Sequence, residues 1–199
     1  MSNNYYNHTG YPTNSQDAQA VDVRSEFLAI QAMADKLPAL SGNALKLVQV
    51  NAGATGLTAL PLDSGVWAPT FTFQTPGNQT FVYSTQDGYY VRMGPLMLIA
   101  FRLVFSTFTF TTASGNAKIT GLPRNPTAVN NAQATMAIYG SGITKAGYTQ
   151  VLGIITPVTA IQLMARGSGV AESPITAADM PTGGPVTISG STMYRTDDL

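Results

Sequence analysis

Any chemistry on this chain has to be built from few parts. Among 199 residues there is one histidine, His8, and no cysteine. Disulfides and thiolate metal sites are excluded, and a lone imidazole leaves no zinc constellation. A Ser-His-Asp triad needs its imidazole held inside a rigid site, whereas His8 falls in a polar N-terminal arm. From Phe81 to Val170 the sole carboxylate is Asp87. Most glycosidases work with two carboxylates flanking the scissile bond. Here such a pair could be assembled only across chains, or from Asp63, Glu172 and Asp179 brought together by folding. Gly140-Ser141-Gly142 and Gly167-Ser168-Gly169 lack the full glycine fingerprint and the Lys-Ser/Thr ending of a phosphate loop, and they read as turns. Asn7-His8-Thr9 and Asn78-Gln79-Thr80 match the glycosylation pattern, but no secretory signal accompanies them in Met1 to Gly10. The reading is of a protein that is not an enzyme and needs no cofactor.

Binding chemistry is better supplied. Tyr89, Tyr90, Tyr139 and Tyr148 offer ring faces that stack on sugars where exposed, and that pack in strands where not. Arg92, Arg102, Lys118, Arg124, Lys145 and Arg166 stand against Asp87 alone between Phe81 and Val170. They are either solvated surface or cations facing an anionic partner. The chain as a whole has a formal net charge of zero and no Lys/Arg cluster, which argues against nucleic acid. The most apolar run, Leu96 to Phe105, is interrupted by Arg102. It is about half the ~20 residues that a bilayer span requires, so membrane insertion is not expected.

Only 10% of residues are charged, against roughly 25% in an average soluble protein. Covering much of the surface in an assembly accounts for so bland an exterior, while 44% hydrophobic content argues against disorder.

Three regions must position these residues. The first, residues 1–40, is an Asn/Tyr-rich arm leading into a helix, with a possible capping box at Thr13 and Gln16 and a stop at Pro38. Val23, Phe27, Ile30, Ala34 and Leu37 follow one another at intervals of 4, 3, 4 and 3, an a/d seam. The stripe packs on its own domain or joins copies of the chain in a short bundle. Residues 41–64, rich in Gly, Ala and Asn without an aromatic, read as a short strand pair, an interchain neck or a plain linker.

Residues 65–199 read as β throughout, with strands near 70–74, 79–84, 89–93, 96–106, 107–112, 116–120, 134–139, 150–155, 159–165, 186–189 and 192–195. Thr107, Thr109 and Thr111 alternate with Phe108 and Phe110, the period of a strand with one wet face. Gln86-Asp87-Gly88 and Ser114-Gly115-Asn116 supply the residues that reverse hairpins, so Phe81 to Pro123 is expected to be a meander. The fold expected is mainly β: a coiled-coil-like N-terminal helix, then an antiparallel β-sandwich or jelly-roll-like head.

Certain segments carry a resemblance. Val66-Trp67-Ala68-Pro69-Thr70, Gly88-Tyr89-Tyr90-Val91-Arg92-Met93-Gly94 and Ile119-Thr120-Gly121-Leu122-Pro123 resemble the β-rich heads of tailed-bacteriophage virion appendages. Asn4-Tyr5-Tyr6-Asn7-His8, Ser41-Gly42-Asn43-Ala44 and Val50-Asn51-Ala52-Gly53 are similar to phage fibre-like proteins. Pro95, where such proteins commonly carry a polar residue, points to a different turn there. The resemblance implies a homotrimeric structural virion protein, a short tail fibre or spike. Its N-terminal arm would contact other virion proteins and its β head would face the host surface, with a cell-surface glycan as partner. A capsid-attached head fibre or decoration protein is the alternative, and a polysaccharide-degrading enzyme the rival of a different class. The family supplies no catalytic residue that maps onto this chain.

Overall fold

The computed structural model describes residues 20–37, 46–51, 53–128, 134–156, 159–183 and 185–196. His8 and its arm, Thr13 and Gln16, Pro38 and the acidic Asp197-Asp198 lie outside them. The chain forms two compact units, Met1–Pro61 and Leu62–Leu199.

In the first unit, helix α1 (Ala20–Ala34) is built from good helix formers, Ala, Leu, Met, Gln and Glu. Strand β1 (Lys46–Val50) pairs antiparallel with the start of β2 (Leu57–Trp67), Val50 opposite Leu57. Asn51 closes the connection by accepting the Thr55 N–H at 2.9 Å on its side-chain oxygen. Of the readings for residues 41–64, the structure shows the short strand pair.

The second unit is mainly β. Its strands are the remainder of β2, β3 (Thr70–Thr75), β4 (Thr80–Met93), β5 (Leu96–Thr109), β6 (Ser114–Thr120), β7 (Ala134–Gly140), β8 (Gln150–Thr156), β9 (Ala160–Gly167), β10 (Val170–Pro174) and β11 (Val186–Arg195). One antiparallel path runs β2-β4-β5-β11-β7-β8-β9-β6-β3, with β10 attached to β9. The path curls, because its two halves share a single core. On β5 the buried residues Met97, Ile99, Phe101, Leu103 and Phe105 alternate with outward ones, and the register shift near Tyr83 brings Phe108 back inside. Phe71 on β3 sits edge-on to Phe81 of β4 at 5.4 Å and to Phe105 of β5 at 6.0 Å. Phe81 stacks on Phe108 at 4.4 Å. Each such pair contributes about 0.5–1.5 kcal/mol beyond its buried area, so this cluster fastens the last strand of the path against its beginning.

Both expected hairpin turns are corrected. Gln86-Asp87-Gly88 lies inside β4, with Asp87 opposite Arg102 and Gly88 between Trp67 and Phe101. Gly88 serves close approach there: a Cβ would fall 2.6 Å from the Trp67 ring. The chain reverses instead at Gly94-Pro95, where Gly94 takes φ +57°. Ser114-Gly115-Asn116 is likewise in a strand, the start of β6. β6 pairs with β3 and β9 and not with β5, so Phe81 to Pro123 is one hairpin followed by a crossing to the other half of the sheet. The strands expected at 79–84 and 89–93 are one, as are those at 96–106 and 107–112 and those at 186–189 and 192–195.

Candidate functional site

Strand β7 changes partners midway. Ala134 to Ala137 pair with β8, whereas Ile138 to Gly140 pair with β11. Glycines flank the handover: a Cβ on Gly153 of β8 would lie 2.8 Å from Met136, and one on Gly190 of β11 would lie 2.9 Å from Ile138. Before Leu152, at Gln150 and Val151, β8 pairs with β9 alone and has left β7, Gln150 lying opposite Arg166. The two strands part and leave a groove of about 630 Å³.

Tyr139 of β7 lines that groove and is 66% exposed. Thr149 and Gln150, both exposed, line it too, together with Arg166 and the half-buried Ile143. A second cavity of about 410 Å³ shares Ile143, Thr149 and Gln150 and adds Tyr148 and Lys145. The cations carry carboxylate partners. Arg166 donates from Nη2 to Glu172 at 3.1 Å, and Lys145 Nζ donates to Asp179 Oδ2 at 2.8 Å. Burial alone would raise the Asp179 carboxyl. The Lys145 ammonium and the Thr176 N–H and O–H, each donating to Oδ2 at 2.8 Å, outweigh it and hold the group below its ordinary value.

The four tyrosines therefore separate. Tyr139 and Tyr148 come to adjoining cavities. Tyr89 stands on the outer face of β4, 61% exposed, three strands from β7 along the path or roughly 14 Å. Tyr90 turns inward and donates its hydroxyl to Asp63 Oδ2 at 3.3 Å. Thr149, Gln150 and Arg166 were not singled out from the sequence as a group. Their signal was the polar run entering β8, which single-sequence reading cannot align with Tyr139.

The basic residues do not form one surface. Arg92 is buried, donates from Nε to the Gly94 carbonyl at 2.9 Å, and its Nη2 has no hydrogen-bond partner among the described residues. Arg102 faces outward on β5 opposite Asp87.

Two further surfaces are apolar. On α1, Val23, Phe27, Ile30 and Ala34 are exposed, Phe27 at 66%; the helix ends at Ala34, so Leu37, the last residue of the expected seam, lies beyond it and is exposed as well. Leu28, off the seam, is exposed too. Every residue of β1 is exposed, which leaves Leu47 and Val48 uncovered on opposite faces. In the second unit, Val91, Leu98 and Met193 stand directly opposite one another on β4, β5 and β11, all exposed. Among the described residues there is no cluster of three or more metal-ligating side chains, and no helix long and apolar enough to cross a membrane.

No protein-family model matches the sequence. No curated protein matches it either. Among solved structures the chain is similar to the Dettilon tailspike protein, at 13% identity and a TM-score of 0.49 over 67% of this chain and 24% of that one. The likeness thus spans about a quarter of the tailspike's length. At that distance it says nothing of ligand or activity.

Proposed function

We propose that this chain is a structural protein of a tailed-bacteriophage particle, a homotrimeric short fibre or spike. Its N-terminal region trimerises and attaches to other virion proteins, and its β head contacts the host surface. The observation that carries the reading is the exposed apolar surface of α1, together with both faces of β1, in a chain with only 10% charged residues. A 15-residue helix is marginal by itself. Covering each large apolar side chain contributes about 1.5–3 kcal/mol. Several per chain offset the ~4–15 kcal/mol lost in association. In the a/d seam Val23 and Ile30 take the d positions within the helix, and β-branched residues at d favour more than two strands. The exposed Val91-Leu98-Met193 row is a further surface that subunits could cover.

The reading is of an adhesive rather than a cutting head. Support comes from the groove at β7, whose lining includes the Thr149 hydroxyl, the Gln150 amide and the Tyr139 ring, with Arg166 already bonded to Glu172. Release of fragments from host polysaccharide by the purified protein would contradict it. Attachment to the capsid as a head fibre is the second placement, favoured by the same apolar surfaces. Antibody labelling of purified particles tests both placements. Label at the tail supports the fibre, label over the capsid supports the decoration protein, and particles free of the protein refute both.

A further inference from the structure

We propose that the groove opened where β7 parts from β8 binds a neutral saccharide unit. This deepens the reading of the head as the adhesive part and rests on it. A sugar presents an apolar C–H face and a rim of hydroxyls, so its site needs an accessible aromatic face beside groups that both donate and accept. Tyr139 supplies the first at 66% exposure, on a strand fixed by β8 at one end and β11 at the other. Thr149 and Gln150 supply the second, both exposed and lining the same groove. The groove's volume of about 630 Å³ falls within the roughly 300–1,000 Å³ usual for small-molecule sites.

Charge decides which sugars. Arg166, which lines the groove, and Lys145, which lines the adjoining cavity, are each bonded to a carboxylate, Glu172 at 3.1 Å and Asp179 at 2.8 Å. An anionic group on the ligand would have to compete with a carboxylate already in place, and would meet it as a like charge. A neutral, hydroxyl-rich unit needs no such displacement. Phosphorylated and uronic-acid sugars are therefore disfavoured.

The test uses the full chain on an array of neutral and uronic-acid oligosaccharides, followed by calorimetry on those that bind. The expected result is binding to at least one neutral oligosaccharide, weakened about tenfold or more in Tyr139→Ala, equivalent to ~1.4 kcal/mol. Tyr89→Ala, equally exposed but on β4, should leave the affinity unchanged. Raising NaCl from about 50 to about 500 mM should change the affinity less than about twofold, since no net charge is engaged. Binding confined to uronic-acid sugars, or equal binding by Tyr139→Ala, would overturn the proposal, as would binding to none of the array. The same preparations, weighed in solution and located on the particle by antibody, show separately whether the appendage reading stands.

Discussion

At the scale of single residues, Gly88 lies between Trp67 and Phe101 in β4 and leaves no room for a Cβ. Asp87-Gly88 carries the composition of a tight turn, yet Gly88 is a strand residue whose bare Cα lets the Trp67 ring lie against β4. The distinction is measurable. A turn glycine tolerates asparagine, which accepts positive φ. Gly88→Asn should instead cost about 1–3 kcal/mol in urea unfolding, as overpacked sites do. An unchanged midpoint would restore the turn. Asn78 is similar: its glycosylation-like sequence has a structural use, because Oδ1 accepts the N–H groups of Thr111 and Thr112 at 2.9 and 2.8 Å. Asp179 gives a pH-dependent case. Its folded-state carboxyl lies below its ordinary value of 3.8, so its contribution is present above that value and lost as pH falls through the folded one. Asp179→Asn should cost about 1–2 kcal/mol at neutral pH, the worth of a charge-assisted hydrogen bond lost. The cost should shrink as pH falls below 3.8 and through the lower folded-state value. A cost independent of pH would contradict the assignment.

At the scale of elements, α1 was legible because a 3.6-residue period needs no long-range information. The strands were legible as β for the same local reason, with Phe71, Phe73 and the β5 alternation all buried as their pattern implies. Their partners were not. Which strand lies beside β7 depends on Gly153 and Gly190, far apart in sequence and without local meaning until Met136 and Ile138 fill the space between them. The candidate groove exists because of that handover, so Tyr139 and Tyr148 could be named from sequence while Gln150 and Arg166 could not be joined to them. β10 went unseen, since Val170 to Pro174 has no alternating pattern and is largely exposed. For α1 the expectation concerns assembly. Phe27→Asp places a charge in an exposed apolar seam, and should raise the subunit dissociation constant about 100-fold or more, equivalent to ~3 kcal/mol. Phe27 lies outside the head's core, so the far-ultraviolet signal of the β strands and their unfolding midpoint should persist. Loss of both together would mean that the helix serves the fold rather than the assembly.

At the scale of the whole molecule, sparse charge and abundant exposed apolar surface point the same way. The second unit buries an aromatic core of its own, around Phe71, Phe105 and Phe108. Nothing comparable covers α1 or β1 among the described residues, where Phe27, Leu28, Leu47 and Val48 face outward. A second and third copy of the chain would cover them, and would turn a bland surface into an interior. The most direct test is the mass of the purified full-length chain by sedimentation equilibrium at micromolar concentration. The account predicts three times the mass of one chain, unchanged on dilution through that range. A single-chain mass, with α1 helical and the head folded, would contradict it.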